Sequence, residues 1–124
     1  MTNSRTIPQA EWRTFFDAMS TALEGKRVQI EVASLELGDQ VVAEWLPLLG
    51  VTYDSRDDLF DVALGDLELD HLIRHPRQVL VQEGPSGVEM IAVVTEDGTK
   101  QLLRLQNPLM LPAQGKQPAG STTR

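Results

Sequence analysis

The residues best equipped for chemistry in this chain lie between Asp66 and His75, in the run Asp66-Leu67-Glu68-Leu69-Asp70-His71 followed by His75. Two histidines four residues apart share one side of a helix, and a neighbouring carboxylate completes three ligands for zinc or another divalent ion. Asp70, His71 and His75 are therefore the candidate metal ligands. The pattern is incomplete, because Leu72 follows His71 where an HExxH site needs glutamate, and Pro76 disfavours helical geometry at His75. No resident cofactor is expected otherwise. A second polar cluster, Asp54, Asp57, Asp58 and Asp61, has the oxygen ligands calcium uses but lacks the central glycine and closing glutamate of an EF-hand loop. It reads as a polar turn and a candidate acidic interaction face.

Other chemistries find less in the sequence. Ser20, Ser34, Ser55 and Ser86 stand in no GxSxG elbow, and there is neither a GxxxxGK[ST] loop nor a GxGxxG fingerprint. The absence of cysteine removes disulfides, thiolate sites and cysteine nucleophiles, and is compatible with a reducing compartment.

Charge is unevenly divided. The net charge is -7, and residues 36–70 carry ten acids with Arg56 as their one base, whereas residues 1–35 balance four acids with four bases. The middle third should repel phosphate backbones and attract basic partners or cations. Nucleic acid is disfavoured as a ligand, since Arg74, Arg77, Lys100, Arg104, Lys116 and Arg124 are dispersed and no aromatic stacking platform accompanies them. A protein partner or self-association fits better. The opening MTNSRTIPQAEW lacks an apolar signal core and no run approaches the ~18 apolar residues of a membrane span, so the expectation is a soluble, cytoplasmic protein without a membrane role.

The elements that must position these residues can be read from periodicity. A length of 124 residues suits a single domain, expected over 6–105 between a flexible terminus at 1–5 and a disordered Pro/Gly-rich tail at 106–124. Trp12, Phe15, Phe16, Met19 and Leu23 recur every three or four residues and predict an amphipathic helix. It starts either from a Thr6–Gln9 capping box or with Pro8 at the first helical position, and Gly25 stops it. Arg27–Ser34 alternates as a half-buried strand, and Gly38-Asp39 turns the chain into QVVAEWLPLLGVTYD, read as two strands joined by a kink at Pro47–Gly50 with both faces partly covered. Leu59–Leu64 is the next strand. Leu69, Leu72 and Ile73 then fall at helical spacing and predict a short helix over 67–75. Three strands follow, Arg77–Glu83, Val88–Thr95 and Lys100–Leu105, the last two joined by an Asp97-Gly98 hairpin. The predicted core comprises Trp12, Phe15, Phe16, Val28, Ile30, Val32, Trp45, Val62, Val79, Val81, Ile91 and Val93.

The order of an opening Trp12/Phe15 helix, LPLLGVTYD at 46–54, HLIRHP at 71–76 and the TEDG hairpin at 95–98 resembles a bacterial family of small domains of unknown function. The resemblance spans about residues 7–105 and implies no catalytic role for any residue. The expected fold class is α+β, with the amphipathic helix packed on a bent antiparallel sheet of five to six strands. That sheet is either open or closed into a small barrel of the Sm or SH3 kind. The leading functional expectation is a non-catalytic interaction or assembly module, and the alternative is a small metal-dependent enzyme built on His71, His75 and neighbouring acids.

Overall fold

The computed structural model describes residues 3–23, 25–65, 69–85 and 87–106. Eight strands and one helix follow in the order β1 (Asn3–Ile7), α1 (Trp12–Leu23), β2 (Arg27–Ser34), β3 (Gly38–Asp54), β4 (Leu59–Leu64), β5 (Leu69–Arg74), β6 (Pro76–Gly84), β7 (Gly87–Thr95) and β8 (Lys100–Gln106). All pairings are antiparallel, and the spatial order is β1-β6-β7-β8-β2-β3-β4-β5. The class is α+β, as expected. Eight strands replace the five to six foreseen, and the sheet is open rather than closed into a barrel, with β1 and β5 at its two ends.

β3 makes the bend. Its first half, Gly38–Pro47, pairs with β2, and its second, Leu48–Asp54, pairs with β4. Within the first half the register with β2 slips twice, at residues 41–46, and Trp45 adopts a left-handed φ of 54°. Extra residues on one strand increase local twist and bend it. Pro47 lies beyond the slips, opposite Arg27, and the Arg27 guanidinium donates to the Trp45 carbonyl at 3.1 Å, closing the kink with a side chain. These slips precede the predicted Pro47–Gly50 kink, within which the register with β4 shifts between Leu48 and Gly50, and the chain remains one 17-residue strand rather than two. Trp45, expected in the core, is only half-buried because the left-handed bend turns it away from the alternation of its neighbours.

α1 lies against β3, and His71 of β5 reaches Gln101 of β8. Trp12 meets Tyr53 edge-on at 5.2 Å between ring centroids, and Phe16 meets Phe60 at 5.0 Å. The Trp12 indole N–H donates to the Ile7 carbonyl at 2.8 Å, which fixes the entry of the helix against β1. Ten of the twelve predicted core residues join one cluster with Leu48, Val51, Tyr53, Phe60 and Ile73, Phe15 at its margin. The two that do not are Val32, half-buried, and Trp45.

Three local expectations are corrected. Thr6 lies in β1, so it makes no capping box; the helix is entered through a short 3-10 turn at Gln9–Glu11 after Pro8. Residues 3–5, placed by the sequence in a loose terminus, pair with 81–83 of β6. Of the short helix expected over 67–75, residues 67 and 68 lie outside the described residues and Leu69–Arg74 form β5, whose His71 and Ile73 stand opposite Val62 and Phe60 of β4. A buried strand partner and the period-2 face of residues 71 and 73 outweigh the helical spacing of Leu69, Leu72 and Ile73. Gln106 ends β8; the rest of the expected tail, 107–124, lies outside the described residues.

Candidate functional site

His71 and His75, expected on one helical face, are separated by the change from helix to strand. Successive strand residues point to opposite faces. Asp70 and His71 therefore diverge, and the exposed Asp70 stands opposite Ala63 while His71 stands opposite the fully buried Val62. His71 Nε2 lies 2.6 Å from the Gln101 side-chain oxygen of β8, a polar contact spanning the folded sheet. Among the described residues no group of three or more His, Cys, Asp or Glu side chains is placed to hold a metal ion.

His75 instead meets a member of the second cluster. It forms the bend between β5 and β6 with φ 55°, and Asp58 forms the bend before β4 with φ 53°. Pro76 excludes right-handed helical geometry at His75, and aspartate tolerates the left-handed region better than most residues. The two bends are stitched together: the His75 N–H donates to the Asp58 carbonyl and the Glu96 N–H to the His75 carbonyl, each at 2.8 Å. Asp58 then gathers donors from three elements. The Tyr53 hydroxyl donates to Oδ1 at 3.0 Å, Arg77 donates to Oδ2 at 3.3 Å, and His75 Nδ1 lies 3.4 Å from Oδ2. Arg77 continues to Glu96 at 3.1 Å.

The electrostatics follow from these contacts. Burial alone would raise the Asp58 carboxyl, but the Tyr53, His75 and Arg77 donors outweigh it and hold the group below the usual aspartate value of 3.8. Tyr53 moves upward, chiefly through burial and then through its bond to Asp58. An Asp–His pair can orient a general base. Here Arg77 shares the same aspartate oxygen at an equal or shorter distance, and the open cleft beside the pair mixes Arg74 and His75 with Glu96 and Asp97. The arrangement suits a clasp joining three loops better than a catalytic dyad.

The remaining members of the acidic set do not converge on Asp58. Asp54 caps its own turn, accepting from the Arg56 and Asp57 N–H groups at 2.9 and 3.2 Å. Asp61 sits inside β4 with Oδ1 buried and without a hydrogen-bond partner, and its carboxyl is pushed up by burial and then by Asp70. The four aspartates thus form a turn, a clasp and a partly buried strand position, not one face.

A different surface was hidden in the sequence. The hairpin of β2 and β3, here called the arm, carries Leu35 fully exposed, Leu37 at 70%, Val41 at 53% and Val42 at 51% exposure. β4 begins pairing only at Leu48, so nothing covers the outer side of β3 before the bend among the described residues. The register slip between Ile30 and Glu31 leaves Val42 as the extra residue next to Val41, and such slips re-aim side chains. The alternation at 41–46 predicts both faces partly covered; along the arm Val41 and Val42 are exposed instead. Alternation reports which residues share a face, not whether another element covers it.

A family model described as a family of unknown function, DUF5335, matches residues 3–114. An uncharacterized protein of Aquifex aeolicus (strain VF5) is 39% identical over 109 residues, covering 88% of this chain and 97% of that protein. No solved structure matches. The matched span takes in every strand, the helix, the arm and the Asp58 clasp, and the chain belongs to the DUF5335 family.

Proposed function

We propose that this chain is a non-catalytic protein-interaction module whose partner-facing surface is the β2–β3 arm. The observation that carries the reading is the exposure of Leu35, Leu37, Val41 and Val42 on one hairpin of a chain that buries a continuous core elsewhere. Scattered surface leucines need no explanation, but four large apolar side chains within eight residues of one hairpin form a patch of the kind that marks contact surfaces. The polar groups support the same reading. Asp58 is engaged by Tyr53, Arg77 and His75, and His71 by Gln101, so these groups hold the turn before β4, β5 and β8 in place. A metal-dependent enzyme on Asp70, His71 and His75 draws less support, because the strand geometry of β5 directs Asp70 and His71 to opposite faces.

The test is to isolate the tag-free chain from its source cells under mild conditions and record native mass spectra of the wild type and of Leu35→Ser/Leu37→Ser. The proposal expects a stoichiometric protein complex that the double variant loses while staying folded. A bare chain in both preparations would refute it, and a retained metal of fixed stoichiometry would move the argument to His71 and His75.

A further inference from the structure

The arm's charge is as one-sided as its apolar content. It holds Glu31, Glu36, Asp39 and Glu44, and the sequence has no lysine or arginine between Arg27 and Arg56. Glu31 is engaged by Arg104 of β8, while Glu36, Asp39 and Glu44 are exposed beside the apolar side chains. By register Lys100 stands opposite Ala33 and Arg104 opposite Gln29.

At its tip the arm forms a cleft with the β7–β8 turn, lined by Ser34, Leu35 and Glu36 on one side and Asp97, Gly98 and Thr99 on the other. The far wall is hydrogen-bonded within itself. Asp97 Oδ1 accepts from the Thr95 hydroxyl at 2.6 Å and from the Thr99 N–H at 3.0 Å. These bonds hold the carboxyl below its usual range, so it stays negative. Leu35 between the Glu36 and Asp97 carboxylates matches a lysine or arginine side chain, whose methylene stem lies on apolar surface while its head seeks charge.

We propose that the arm binds a partner segment in which apolar side chains alternate with lysine or arginine. The apolar ones rest on Leu35, Leu37, Val41 and Val42, and one cationic side chain lies in the cleft between Glu36 and Asp97. This rests on the interaction-module reading above and adds the chemistry of the partner. A second copy of the chain is a poor occupant, since a two-fold contact sets the same acidic arm against itself. Charge complementarity favours a cationic segment and supplies its orientation.

The probe is a twelve-residue synthetic peptide alternating leucine and lysine, titrated into the isotope-labelled full chain and followed by amide chemical shifts. Leucine/glutamate and serine/lysine peptides of equal length serve as comparisons. Shifts should concentrate on 34–44 and 97–99, and affinity should fall by about tenfold or more in Leu35→Ser/Leu37→Ser and in Glu36→Lys, as expected from losing buried methyl groups or an opposed charge. Binding should also weaken as salt rises. The proposal is overturned if the leucine/lysine peptide fails to bind, if the serine/lysine peptide binds equally well, or if the shifts centre on Asp54–Asp61. A native complex that depends on Leu35 and Leu37 would keep the module reading even where the peptide fails; a chain without any partner would remove that reading instead.

Discussion

Asp58 and His75 share a left-handed backbone, at φ 53° and 55°, but only one of them is tied firmly by its side chain. Replacing each with glycine should therefore give different outcomes. Glycine relieves a left-handed cost of about 1 kcal/mol at either position, while the freer unfolded chain takes back about 0.5–1 kcal/mol. At His75 little else changes, since its ring is 59% exposed and its contact with Asp58 is long at 3.4 Å. His75→Gly should fall within about 0.5 kcal/mol of wild type. Asp58→Gly loses the acceptor of the Tyr53 hydroxyl, a bond to a charged group worth about 1.5–3 kcal/mol. It also loses an exposed Arg77 pair worth no more than about 1 kcal/mol. The net expectation is a loss of about 2 kcal/mol, or roughly 8 °C in Tm for a chain of this size. Urea unfolding followed by far-ultraviolet circular dichroism measures both variants. Tyr53→Phe should cost little more once Asp58 is glycine. Equal stability of the two glycine variants, or full additivity of Asp58→Gly with Tyr53→Phe, would refute the clasp.

The same contacts set a dependence on pH. Asp58 has its carboxyl depressed in the folded state, so its contribution is complete above the unfolded value of 3.8 and is lost as pH falls through the lower folded value. Acid titrations of stability should show wild type and Asp58→Asn converging below pH 3.8. Asp61 has the opposite sign: its folded carboxyl is raised by burial and by Asp70, so its ionised form opposes folding. Asp61→Asn should raise stability at pH 7 by about 0.5–1 kcal/mol by removing a partly buried charge and then its repulsion from Asp70, with the gain vanishing in acid, as denaturant unfolding at the two pH values will show. Trp12→Phe removes the buried indole bond to the Ile7 carbonyl and leaves a void beside Tyr53, and should cost about 2–3 kcal/mol in the same unfolding assay.

Much of the sheet was legible because its strands alternate plainly. Val28 and Ile30 face inward, Val79 and Val81 pair with Val93 and Ile91, and the Asp97-Gly98 hairpin turns where a left-handed glycine allows it. β1 was missed because, in Asn3–Ile7, only Ile7 is buried, so an edge strand leaves no apolar alternation to read. β5 was misassigned because short apolar runs satisfy two periods at once, and its pairing with β4 is a long-range fact. The clasp was half-visible: Asp58 and His75 were both singled out, but in separate clusters. What joins them is a pair of left-handed bends at non-glycine residues, which propensity argues against. The arm was least visible, since Val41 and Val42 look like core until the end of β4 pairing at Leu48 is known.

The measurement that bears most directly on the arm is hydrogen–deuterium exchange of the chain alone and in the complex isolated from its source cells, compared peptide by peptide. New protection should concentrate on 34–44, with β6 unchanged. Protection that leaves 34–44 untouched and falls on the Asp58–His75 clasp would contradict the account and return the clasp to consideration as the working surface.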